Sequence, residues 1–228
     1  MTKIEVLSIV VSTVVAVSCA TDMNRQFNQA VFDAIDSNDV ARVGQVLTND
    51  PSLLQKNGVA YLCRASARGR NDAVTKLLDM GVDADGVYGR HVESTFGAVA
   101  WRIDILPLGC AAGAGHDETV SLLIKRGASV NGPVGCGFPP IIQAATSGRV
   151  TALHILLEAG ADVNAKDYRG SSALQSAALA GQKDAVVYLL DHGADVNAAN
   201  NNGETPLRAA MRGGDKEIEQ LIRDRGGK

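Results

Sequence analysis

The chain has 228 residues, enough for one or two domains or for one elongated repeat array. Apolar residues make up 46% of it and aromatics only 4%, so its core is mostly Ala, Leu and Val, which suits small helices in close stacks better than a bulky globular centre. The formal net charge is −3 with both signs interspersed, and this excludes nucleic acid as a partner, because phosphate binding needs a basic surface.

From Val6 to Thr21 no residue is charged. These residues would make about 24 Å of helix, short of the ~30 Å hydrocarbon core of a bilayer. One basic residue, an apolar run and the small residues of Ala16 to Ala20 fit a secretory signal over residues 1–18, followed by a short tether over 19–25. Ala16-Val17-Ser18-Cys19 resembles the lipobox of bacterial lipoproteins, with Ala16 where Leu is usual. That resemblance implies a lipidated Cys19 as the new N-terminus. Ala20 in place of Asp implies outer-membrane anchoring in the periplasm, with the lipid as the only route to a membrane. Ser18-Cys19-Ala20 also passes as a small-x-small site that would release a soluble protein, and an uncleaved anchor is a third reading.

Two helix pairs are expected next. Ala30-Val31-Phe32-Asp33-Ala34-Ile35 with Val40, Val43, Val46 and Leu47 reads as an N-terminal capping unit over 26–56. Cys63 to Gly69, then Val74, Leu77, Leu78 and Gly81-Val82-Asp83-Ala84, reads as a second unit over 57–85. The segment after it, within 86–103, holds the only Trp together with Tyr88, Arg90, His91, Phe96, Trp101 and Arg102. Folded back as a hairpin it reaches about 20 Å beyond a normal turn. Trp, Tyr and Arg dominate interface hot spots, so a binding finger is one reading. Packing of Phe96 and Trp101 on the adjacent turns is another, and a lineage insertion with no role is the third.

Beyond residue 104 the chain is periodic. Gly115, Gly148, Gly181 and Gly214 recur at intervals of 33, as do Gly127, Gly160, Gly193 and Gly226. Pro107, Pro140 and Pro206 keep the same step, with Ala173 in the gap. Gly160-Ala161-Asp162-Val163-Asn164 and Gly193-Ala194-Asp195-Val196-Asn197 are near copies, and Thr205-Pro206-Leu207 opens the last unit. Thr205 is expected to cap a helix, Pro206 to occupy its first position, and Gly214 to end it in the left-handed conformation. Ile218, Leu221 and Ile222 form the apolar stripe of the helix that follows.

This pattern resembles the ankyrin repeat, whose signature includes Thr-Pro-Leu-His and Gly-Ala-Asp-Val-Asn. The resemblance covers residues 26–228 and implies an all-α solenoid of about six helix-turn-helix units. The later units span 104–136, 137–169, 170–202 and 203–228, with a long inserted loop between units two and three. Gly81 and Gly127 lie 46 residues apart, so thirteen residues are extra there.

No catalytic, cofactor-binding or metal constellation is found. His91, His116, His154 and His192 are not spaced as ligands, the cysteines follow no zinc pattern, and neither a phosphate loop nor a nucleophile elbow occurs. Cys63 and Cys110 read as small buried hydrophobes. Cys136 lies in a Gly-rich turn, from which pairing with Cys110 stays open.

The ankyrin resemblance implies a non-enzymatic protein that binds another protein through turn tips, a concave helix face and the inserted loop, with no cofactor. Tip positions include Tyr88, Arg90, Trp101, Arg102, Phe138, Tyr168 and Arg169. Concave positions include Arg68, Thr146, Ser147, Leu179 and Arg212. Similarity to exported ankyrin proteins of Gram-negative bacteria implies an immunity lipoprotein that occludes a phospholipase-type toxin delivered by type VI secretion. Alternatively it implies a periplasmic scaffold serving oxidative-stress defence beside catalase.

Overall fold

A computed structural model describes residues 25–92, 101–133 and 137–228. Six helix pairs follow one another along them. They are α1 (Arg25–Asp36) with α2 (Val40–Asn49), α3 (Pro51–Ala67) with α4 (Asn71–Asp79), and α5 (Pro107–Ala114) with α6 (Asp117–Lys125). Then come α7 (Pro140–Thr146) with α8 (Val150–Glu158), α9 (Ala173–Ala180) with α10 (Lys183–Asp191), and α11 (Pro206–Gly213) with α12 (Lys216–Asp224). Each first helix packs on the first helix of the next pair, and the second helices do likewise, so the chain is a two-layered solenoid.

Stacking is what makes these helices stable. α5, α7, α9 and α11 have only seven or eight residues, where an isolated helix needs roughly 12–15. Ala111, Ala112, Ala144, Ala145, Ala177, Ala178 and Ala210 are fully buried on the first helices, and their small side chains let neighbouring backbones approach closely. Leu123, Leu156, Leu189 and Ile222 close the core from the second helices, each contributing about 1.5–3 kcal/mol by burial. Met211 takes the place of Ala178 one period on and stands 52% exposed, on the last of the first helices among the described residues.

The expected end signals are in place. Thr205 accepts from the Arg208 N–H, Pro206 opens α11, and Gly214 closes it at φ 79°. Ser172 adds a full capping box with Gln175 at the start of α9. Ile218 and Ile222 are buried and Leu221 packs beside them.

A ladder of side-chain bonds joins the turns. Asn131 Oδ1 accepts from the Asp162 N–H at 2.8 Å, Asn164 from Asp195 at 2.8 Å, and Asn197 from Lys228 at 2.9 Å. Each of these amides also donates to a glycine carbonyl of the next unit, at Gly160, Gly193 and Gly226. Asp85 forms the equivalent rung of the second unit, accepting from Ser129 N–H and Oγ–H, both at 2.7 Å.

Two expectations need correction. The second pair does not begin near 57: α3 starts at Pro51, because Asp50 caps it through the Ser52 N–H and Pro51 suits the first helical position. The extra residues fold back, as the hairpin reading expects, but end later. They form an antiparallel pair, β1 (Tyr88–Val92) and β2 (Trp101–Ile105), and β2 runs two residues past the expected end at 103. Two strands are thereby added to an otherwise helical chain.

Candidate functional site

The hairpin is rooted on the second and third pairs. Ile105, the last residue of β2, is buried with Cys63 of α3 and Cys110 of α5, and the Cys63 thiol donates to its carbonyl oxygen at 4.0 Å. Strand register is set by Tyr88 opposite Ile105, Arg90 opposite Ile103, His91 opposite Arg102 and Val92 opposite Trp101. In this register Tyr88, Arg90 and Trp101 fall on positions of one parity along the ribbon, and His91 and Arg102 on the other. Phe96 and Cys19 lie outside the described residues, as does Cys136.

The remaining tip positions sit at later seams. Phe138 is half-buried and packed against the core. The Tyr168 N–H donates to the Gly137 carbonyl at 3.0 Å, and the Asn201 N–H donates to the Arg169 carbonyl at 3.0 Å, so successive tips are joined by main-chain bonds. Arg169 is exposed, with its guanidinium 5.1 Å from the centre of the half-buried Tyr168 ring. The residues singled out from the sequence therefore fall into two groups, one on the hairpin and one around residues 138–169.

Asp167 holds the second group in shape. Its Oδ1 accepts from the N–H groups of Arg169 (2.9 Å) and Ser171 (2.8 Å), closing the turn. Burial raises the Asp167 carboxyl above its ordinary value, and those two N–H bonds only partly offset the effect. Asn200 makes the same turn 33 residues on, accepting from Asn202 at 2.9 Å and Glu204 at 3.0 Å, without a charge.

On the first helices, the expected concave positions are of two kinds. Thr146 is buried and its hydroxyl donates to the Ile142 carbonyl at 2.6 Å, so it offers nothing to a partner. Arg68 and Arg212 are half-exposed but already held by Asp36 (3.6 Å) and Glu204 (3.1 Å). Asp36 is the centre of a cluster that sequence reading missed. Arg64 pairs with its carboxylate, Arg64 Nε donates at 3.0 Å, and Arg70 donates to its main-chain oxygen at 2.7 Å. Arg64 also lies over the Phe32 ring, which meets Tyr61 edge-on at 5.3 Å. Burial pushes the Tyr61 phenol up to about 12. No local spacing signals this cluster, since Asp36 and Arg64 are 28 residues apart.

A family model described as ankyrin repeats (many copies) matches residues 108–153, 141–190 and 174–221, together half the chain. The chain belongs to the ankyrin-repeat family. Its repeats form a protein-binding module, and ankyrin-repeat proteins are in general non-enzymatic. No curated protein matches the sequence. Within this ankyrin array no three His, Cys, Asp or Glu side chains gather as metal ligands among the described residues. Among the same residues, no helix is long and apolar enough to cross a membrane.

Proposed function

We propose that this ankyrin-repeat chain is an exported lipoprotein, anchored through Cys19 to the outer membrane, that binds and occludes a phospholipase-type toxin delivered by type VI secretion. The hairpin is the observation that carries the reading. It adds to a regular stack a short, two-stranded element bearing Tyr88, Arg90, His91, Trp101 and Arg102. Paired strands lose less conformational freedom on docking than a loop of equal length, and aromatics with arginines make the strongest contacts at interface centres. The tips around Tyr168 and Arg169 and the first-helix face supply the rim. The Ala16-Val17-Ser18-Cys19 run supports export and anchoring.

The test is affinity recovery from cells producing the secreted effectors, with the full chain and with residues 86–103 replaced by a turn of ordinary repeat length. The expected outcome is one secreted lipase retained by the full chain and lost, by at least tenfold in Kd, from the shortened one. Recovery of a catalase by both forms would overturn occlusion in favour of the scaffold. Equal retention of the lipase by both forms would move the contact off the hairpin. Mass spectrometry of the mature N-terminus checks the anchor: acylated Cys19 is expected, and an unmodified terminus at Thr21 refutes it.

A further inference from the structure

Two thiols at the root of the hairpin are left without a role by toxin binding. Cys63 on α3 is fully buried, Cys110 on α5 is 4% exposed, and both are free. They lie in one apolar cluster with Ile105, flanked by Val59 and Ala67. We propose that Cys63 and Cys110 are a redox pair that closes into an intramolecular disulfide, bonding the second unit to the third beneath the hairpin.

The next seam shows that these two positions face each other at close range. Cys63 stands where Gly109 stands one unit later, and Cys110 stands where Gln143 does. A Cβ built on Gly109 would come 2.1 Å from Gln143 Nε2, a direct collision, so that seam carries glycine opposite a long side chain. At the Cys63–Cys110 seam both positions carry a short thiol, which fills the same gap from both sides. Burial pushes the Cys63 thiol well above its ordinary value, and the neighbouring Cys110 adds to the effect. Cys63 therefore rests as the neutral thiol.

The oxidant in this proposal is hydrogen peroxide. The Cys110 thiolate attacks one peroxide oxygen, forming an S–O bond as the O–O bond breaks; the departing hydroxide takes a proton and leaves as water. Cys63 then gives up its proton and attacks the Cys110 sulfenic sulfur, forming the S–S bond while hydroxide leaves with that proton as a second water. Two thiols lose two electrons in all, and one hydrogen peroxide becomes two waters. Cys110 reacts first because it alone keeps any exposure. The raised Cys63 thiol makes the second step slow at neutral pH and faster as pH rises. Closure also removes the Cys63 proton from the Ile105 carbonyl, so the redox state is felt at the last residue of β2. None of this rests on export or on a toxin partner.

The experiment uses the full chain carrying Cys19→Ser and Cys136→Ser, treated with hydrogen peroxide, then denatured, alkylated and digested with trypsin. The expected product joins Asn57–Arg64 to Ile103–Lys125, with two hydrogens lost in mass. The thermal midpoint should rise by on the order of 10 °C and return to its starting value with dithiothreitol. Recovery of both peptides singly alkylated, at pH 7 and again at pH 9, would overturn the proposal. The natural sequence is the second check: a bond from Cys110 to Cys136 in place of Cys63 would overturn it as well.

Discussion

The seams between α5 and α11 and the seam between α3 and α5 solve one packing problem under different constraints. In the former, a step of 33 residues brings identical groups into register, so each seam repeats the same Ala contacts and the same Asn rung. In the latter, thirteen extra residues intervene, yet the rung survives as Asp85 on Ser129. The stack is therefore held by the residues before and after the insertion, and the insertion is free to form its own two-stranded structure. Regularity holds the scaffold together, and the departure from it is accommodated without breaking the ladder.

Substitutions can separate these roles. The largest effect is expected from Leu156→Ala in the regular half and Leu77→Ala beside the hairpin, both fully buried. Each should cost about 2–5 kcal/mol in urea unfolding. Nearly equal losses would support one continuous stack, whereas a much smaller loss for Leu77 would mean that the insertion divides it. Next come the rungs. Asn164→Ala removes two hydrogen bonds and should cost about 1–2 kcal/mol, and Asp85→Ala about the same. Asp85→Asn should keep most of that stability, because an amide oxygen accepts from Ser129 as it does in the later rungs; a loss as large as that of Asp85→Ala would show that the rung depends on charge.

The smallest effect concerns pH. The Asp167 carboxyl is raised in the folded chain, so folding favours its protonated form. The stability tied to that proton is present below the ordinary value of 3.8 and is lost as pH rises through the raised folded value. Asp167→Asn keeps an acceptor for Arg169 and Ser171, as Asn200 does for its own turn. Its thermal midpoint should exceed that of the parent at pH 7, and the gap should shrink as pH falls below 4. A gap that stays constant with pH would mean that Asp167 carries no burial penalty.

Much of the fold was legible in the sequence because its determinants are local. Glycines ending helices, Pro206 at a helix start, Thr205 as a cap and alanines at contact positions each act within a few residues. What was missed acts across units. The Asn rungs and the Asp36 cluster pair groups some 30 residues apart, and no local pattern announces them. Thr146 falls at a concave position yet makes no outward contact, because a polar residue near a helix end can satisfy itself on the carbonyl four residues back. The start of α3 was placed late because Asp50-Pro51 sits outside the 33-residue step. For the candidate site, the sequence named the hairpin residues from their types; only the structure pairs them across two strands.

The rung at Asp85 closes its seam before the first extra residue begins, and Ile105 rejoins the stack only where the next helix starts. Gly86, just inside the first of these points, packs closely on Val59 of α3, so remodelling that spares it leaves both anchor points in place. Such a chain can alter one element of its surface without folding being renegotiated across the array.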